Sequence, residues 1–147
     1  MKLLTFLLLS TCLSFTSFKP NNEINLYNSS GNAGAFIDDY LSDQVIYLWD
    51  GKPVAYLHQN FTSTDIYGFN GKHLGWFEKG VLRDNSGHTV GVTKEASDKI
   101  TAGESLKGIK GSIPDKKYRE LEPPKPYFST IWASTDLKEF LMSGVDN

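Results

Sequence analysis

The chain holds one cysteine, Cys12, so it can form no internal disulfide and no thiolate metal knuckle. Histidine is almost as scarce. His58, His73 and His88 are the only three, and no pair of them has the close spacing that builds a metal site. Lysine and arginine number 15 against 17 acids. They are mixed along the chain, which excludes the basic stripe that tracks nucleic acid. One long apolar run exists, residues 3–13, and it is too short to span a bilayer. Catalytic signatures are missing too. Residues 103–108 are bounded by Gly103 and Gly108, but Ile109 follows where a phosphate loop needs Lys and then Ser or Thr. No nucleophile elbow and no calcium-loop pattern occurs.

What the chain has is a repeated sentence. Residues 24–37, 46–57, 66–77 and 80–93 each read as an apolar run, an Asn or Asp, a Gly and a second apolar run. Their glycines, Gly31, Gly51, Gly71 and Gly87, lie 20, 20 and 16 residues apart. A fixed period means one supersecondary unit copied. Asp50-Gly51 and Asn70-Gly71 sit directly between apolar runs and predict two-residue type I′ hairpin turns. Asn28-Ser29-Ser30-Gly31 and Asp84-Asn85-Ser86-Gly87 predict longer loops that close through a left-handed Gly. Four residues beyond each turn glycine stand Ala35, Ala55, Gly75 and Gly91, and directly after them Phe36, Tyr56, Trp76 and Val92. A small residue recurring in a strand marks a close approach. Its large neighbours point to the opposite face and are expected to pack outward against another layer. A lone hairpin is marginal in water, so the units must bury faces against one another. A linear stack is one solution. A ring is the better one, because closure removes exposed strand edges.

At Tyr47-Leu48-Trp49-Asp50-Gly51, and at Ile66-Tyr67-Gly68-Phe69-Asn70-Gly71-Lys72-His73-Leu74-Gly75-Trp76, the chain resembles the four-fold beta-flower proteins of bacteria. Tyr127-Phe128, Trp132 and Phe140-Leu141 are similar as well. The resemblance implies four hairpins around a pseudo-fourfold axis. It implies no activity and supplies no catalytic residue.

Met1-Lys2 followed by the apolar run has the form of a signal peptide, here assigned to residues 1–17. Leu9-Ser10-Thr11-Cys12 is a poor lipobox, because Thr precedes the Cys, so a lipid anchor at Cys12 is the less favoured reading. Residues 24–93 form the four-hairpin domain. Residues 94–126 are punctuated by Gly103, Gly108 and Gly111, then by Pro114, Pro123, Pro124 and Pro126. They read as a long irregular connection that wraps the ring or is mobile. Residues 127–147 recover order: a strand-like segment at 127–132, then a helix capped by Asp136 and stopped by Gly144. Leu137, Phe140 and Leu141 share one face of that helix, and an outer face of the ring is its expected platform.

The expected class is therefore all-β: four β-hairpin repeats around a pseudo-fourfold axis, a long irregular tail and one short C-terminal helix. His73 and His88 follow their turn glycines closely and suggest either a ligand rim or two solvated turn residues. Trp49, Tyr67 and Trp76 suggest an aromatic platform, although aromatics at matched repeat positions are usually core. These five residues are the candidate ligand contacts. No catalytic residue, metal or cofactor is assigned. The expected function is an exported, non-enzymatic binding or interaction module of the bacterial envelope, in the periplasm, on the cell surface or outside the cell, with a protein or glycan partner. The alternative is an envelope hydrolase using carboxylates such as Asp38, Asp39 and Asp65 brought together by folding.

Overall fold

The computed structural model describes residues 22–39, 44–98, 100 and 103–146. The leader assigned to residues 1–17, with Cys12, lies outside them. Eight strands follow in chain order: β1 (Glu23–Tyr27), β2 (Ala33–Asp38), β3 (Val45–Leu48), β4 (Pro53–Gln59), β5 (Thr64–Gly68), β6 (His73–Glu78), β7 (Val81–Asp84) and β8 (Thr89–Val92). Their sequences are rich in β-branched and aromatic residues, which suit a pleated, half-buried surface. Each strand pairs antiparallel with the next, and β8 returns to β1, so the sheet is a closed barrel. Closure excludes the linear stack. It is least complete at the β1–β8 seam, where Tyr27↔Val92 is the one registered pair. The other strand pairings hold three to five.

The four hairpins share one geometry. Each pairing carries a register shift at the same place, between Leu26/Tyr27, Ile46/Tyr47, Ile66/Tyr67 and Leu82/Arg83. Just before each shift a large aliphatic faces a small residue: Leu26↔Ala35, Ile46↔Ala55, Ile66↔Gly75 and Leu82↔Gly91. The turns are also alike, which corrects the expectation of two turn types. In each, the turn glycine N–H donates to the carbonyl three residues back, from Gly31 to Asn28, Gly51 to Leu48, Gly71 to Gly68 and Gly87 to Asp84. All four glycines have φ between 78° and 94°. Asp50 and Asn70 are not at positive φ, so neither turn is type I′. These are three-residue loops in which a type I turn is followed by a left-handed Gly. The Asx side chains lock them. Asp50 and Asn70 accept from the Lys52 and Lys72 amides at 3.0 and 3.1 Å. Asn28 and Asp84 do the same work from the start of their loops. A tight two-residue turn with both residues at positive φ does occur, at Lys79-Gly80 between the third and fourth hairpins. It shortens that connection and accounts for the spacing of 16.

Strand alternation sorts the side chains into two layers. Inside the barrel Leu26, Ala35, Ile37, Ile46, Leu48, Ala55, Leu57, Ile66, Leu74, Leu82 and Val90 form one apolar cluster. Outside it, Phe36, Val45, Tyr47, Tyr56, Tyr67 and Phe69 form a second. The single α-helix among the described residues, α1 (Leu137–Met142), starts at Asp136, whose carboxylate accepts from the Lys138 amide at 3.1 Å. Its Leu137, Phe140 and Leu141 join the inner cluster, not the outer one. Leu137 sits against Gly34 and Gly91, and Gly144 packs on Gly68. The helix thus plugs the turn-bearing end of the barrel. That corrects the expected outer platform, and it explains why Gly91 is small: a side chain there would take the space of Leu137. Gly75 is small for a different reason, the close approach of the Arg83 carbonyl.

Candidate functional site

The outer aromatics occupy matched places across the connections between hairpins. Phe36 stacks on Tyr47 with centroids 5.4 Å apart, and Tyr56 stacks on Tyr67 at 6.2 Å. Trp49 and Phe69 extend the two groups, at 6.2 Å from Phe36 and 5.6 Å from Tyr56. The equivalent partner of Trp76 is Arg83, and here Phe128 from the tail supplies the ring, at 5.9 Å. This belt would make a platform for sugar or peptide if it were open. It is covered by the protein's own tail.

The tail has a period of its own. The Gly108 and Lys117 amides donate to the Trp49 and Phe69 carbonyls, both at 2.9 Å. The Gly111, Glu120 and Ser129 amides donate to the Gly51, Gly71 and Gly87 carbonyls at 2.9, 2.8 and 3.0 Å. The steps are nine residues each. At the third equivalent of Gly108 stands Pro126, which has no N–H to give. Lysines keep the same step. Lys107 lies over Phe36 at 4.4 Å, Lys116 over Tyr56 at 4.2 Å and Lys125 over Phe128 at 4.8 Å. A cation on an aromatic face is attracted by the ring quadrupole. Ile109, Tyr118 and Tyr127 place their carbonyls on Gly51, Gly71 and Gly87, so each of these three turn glycines is needed twice, for its φ and for its missing Cβ. The side chains of these three point into solvent, 95%, 102% and 100% exposed. Residues 94–126 were expected to wrap or be mobile; among the described residues they wrap. The sequence signal for this wrapping is the nine-residue recurrence of Lys107, Lys116 and Lys125 with Ile109, Tyr118 and Tyr127.

Ion pairs fix the first turn of this wrapping. Glu23 is held by Lys107 and Lys110, both at 2.7 Å, and Asp38 by Lys110 at 2.5 Å. Burial alone would raise the Glu23 carboxyl, but the two ammonium groups outweigh it and hold it below its ordinary value. Burial opposes the charge on Lys110 as well, yet its two carboxylate partners raise it. Asp38 is thereby a structural anchor. Asp39 accepts from Gln44 at 3.0 Å. Neither stands beside Asp65 in a common cluster.

Asp65 instead pairs with His73. The two side chains are 1% exposed each, with His73 Nε2 3.0 Å from Asp65 Oδ1. The other ring nitrogen, Nδ1, is 2.8 Å from Asn85 Oδ1, and the Asn85 amide is oriented by donating to the His73 carbonyl at 2.9 Å. Asp65 Oδ2 accepts from Asn60 and from Ser63. Both His73 nitrogens therefore face oxygen acceptors, and both Asp65 oxygens are occupied. The ring is wedged edge-on between Tyr67 at 5.0 Å and Trp76 at 4.8 Å. His73 is neither a ligand rim nor a solvated turn residue. It is a buried structural residue, held by hydrogen bonds to Asp65 and Asn85. His88 is solvated, 43% exposed, with Asp84 at 3.9 Å.

Four of the five candidate contacts are thus absorbed by packing. Trp49 donates its indole N–H to Ser105, Tyr67 donates its hydroxyl to the Glu120 carbonyl at 3.0 Å, and His73 and Trp76 are buried. What remains open beside them is a groove of about 1080 Å³ between the β4–β5 face and residues 116–122. It touches His58, Asn60, Asp65, Tyr67, Arg119 and Glu122. Two carboxylates, Asp65 and Glu122, meet there on the single Asn60 amide nitrogen. The Tyr67 hydroxyl is pushed above its ordinary value by burial, and the charges of Asp65 and Glu122 add to this. Arg119 lies 5.6 Å from the Tyr67 centroid and has no hydrogen-bond partner among the described residues. His58 contacts the same ring at 6.1 Å, and its nitrogens are likewise unpartnered. Among the described residues no cluster of His, Cys, Asp and Glu is arranged to hold a metal, and no helix is long and apolar enough to cross a membrane.

Neither a curated protein nor a solved structure matches this chain. A family model does, over residues 24–141, which takes in the hairpins, the tail and the plugging helix together, and the chain belongs to the 4-fold beta flower protein family.

Proposed function

We propose that the protein is an exported, non-enzymatic binding or interaction module of the bacterial envelope, and that it recognises its partner in the groove walled by residues 116–122. The observation that supports this is how polar groups are used there. Asp65 and His73, the pair with chemical potential, have their hydrogen-bonding sites taken. Among the described residues Arg119 and His58 have theirs free, and Tyr118 and Leu121 stand in solvent beside them. Groups that bind are open and groups that could react are closed. The test is incubation of the purified protein with envelope polysaccharides and cell-wall preparations. Retention without chain shortening is expected, reduced by Arg119→Ala at unchanged melting temperature. Turnover of any such substrate that is abolished by Asp65→Asn or Glu122→Gln would establish the hydrolase instead.

The export reading rests on residues 1–17. Terminal sequencing of envelope material should find a start between residues 12 and 21, and an intact Met1 in a cytoplasmic fraction would contradict it. A mass increase on an N-terminal Cys12 would identify a lipoprotein. We also read the four hairpins as related by successive rotations of about 90°, the angle that closes four equal units. The matched register shifts and Leu/Ile-to-small pairs support that symmetry.

A further inference from the structure

The fourth repeat breaks the pattern at one place. After the register shift the first three hairpins carry Tyr27, Tyr47 and Tyr67; the fourth carries Arg83. Its guanidinium is half-buried. One terminal nitrogen donates to the Ser129 carbonyl and to Thr89 Oγ1 at 3.3 Å, and the Phe128 ring lies 5.0 Å away. The Nε hydrogen is buried with no partner, and among the described residues no carboxylate pairs with the charge. Glu78, the acid whose field reaches it, is taken by Lys125 at 3.7 Å. A half-buried cation met only by dipoles and a ring is a costly arrangement unless an anion completes it.

Arg83 lines a pocket of about 460 Å³ at the β1–β8 seam, where strand pairing is thinnest. The other walls suit a particular kind of anion. Ser29, Asn28 and Thr130 supply hydroxyl and amide groups, and Trp132, 37% exposed, supplies an aromatic wall. Asp98 stands at the exposed rim and makes no ion pair with Arg83. The volume lies within the range of small-molecule sites and has room for a sugar ring. We propose that this seam pocket binds a single uronic-acid sugar residue, its carboxylate on Arg83, its hydroxyls on Asn28, Ser29 and Thr130, and its ring against Trp132. Arg is the residue suited to a planar carboxylate, and Trp offers a flat amphipathic surface.

The site is separate from the groove of the proposed function, and each can fail alone. Glucuronate is titrated into the full protein while the Arg83 Nε–H resonance and Trp fluorescence are followed. Glucose, acetate and inorganic phosphate are run in parallel. Saturable glucuronate binding is expected at concentrations roughly tenfold below those needed for glucose or acetate, since each of these carries half of the recognised chemistry. Arg83→Gln should weaken it roughly tenfold or more. If that variant does not fold, Trp132→Leu and Thr130→Val, both on the exposed tail, carry the test, each with a severalfold loss. Arg119→Ala should leave it unchanged. Phosphate binding as tightly as glucuronate would overturn the sugar assignment. Absence of any shift at Arg83, or loss of binding in Arg119→Ala, would overturn the site.

Discussion

Gly71 is the residue at which two layers of this molecule meet. Its φ of 86° closes the third hairpin, and its bare α-carbon lets the Tyr118 carbonyl lie on the turn. Gly71→Ala should cost about 1–3 kcal/mol from the backbone conformation. It should also lift the tail locally, seen as faster exchange of the Lys117 and Glu120 amides. A substitution that destabilised the fold but left those two amides protected would show that the tail is not seated on the turn. His73→Ala leaves a buried Asp65 oxygen without its hydrogen-bond partner and should cost about 1–3 kcal/mol in denaturant unfolding. Replacing both residues with leucine should be much milder than either single change, because it removes the charge that must be solvated. Similar losses in the single and double variants would mean the pair is not coupled.

At the scale of elements, the helix and the tail behave differently. Leu141 is fully buried in the inner cluster, so Leu141→Ala should lower stability by about 2–5 kcal/mol. Were α1 docked on an outer face, the loss would be near that of a surface change. The tail is held by hydrogen bonds, cation–aromatic contacts and ion pairs, and the last of these titrate. Glu23 is held below its ordinary value of 4.5, so its contribution is present above that pH and is lost as pH falls through the lower folded value. Melting temperature should therefore fall below about pH 4.5 more steeply in the wild type than in Glu23→Gln. Parallel acid curves would contradict this. The helix was legible in the sequence because Asp136, Leu137, Phe140 and Gly144 each carry a local signal. Its platform was not, since nothing in residues 137–142 distinguishes a barrel's mouth from its wall. The tail's nine-residue step was legible in Lys107, Lys116 and Lys125, but Gly and Pro between them read as irregular chain. A segment whose hydrogen bonds all go to another element has no periodicity of α or β type to betray it.

The whole molecule is a barrel of four hairpins, plugged at its turn end by α1 and belted outside by the tail. The hairpin count and the in–out alternation of Ala35/Phe36, Ala55/Tyr56 and Gly75/Trp76 were written in the sequence, because strand periodicity is local. The site was not. Asp65, His73 and Asn85 come from three separate strand and turn segments, and no spacing marks residues that meet only when the barrel closes. The same closure puts Arg83 beside the first turn, and covers the aromatic belt that would otherwise be a binding platform. Backbone amide exchange resolved by residue reports on that covering. Gly108, Gly111, Lys117, Glu120 and Ser129 should be protected, while Ile109, Tyr118 and Tyr127 between them exchange freely. Uniformly fast exchange from residue 103 to residue 129 would contradict it, and would leave Phe36, Tyr47, Tyr56 and Tyr67 as an open aromatic surface.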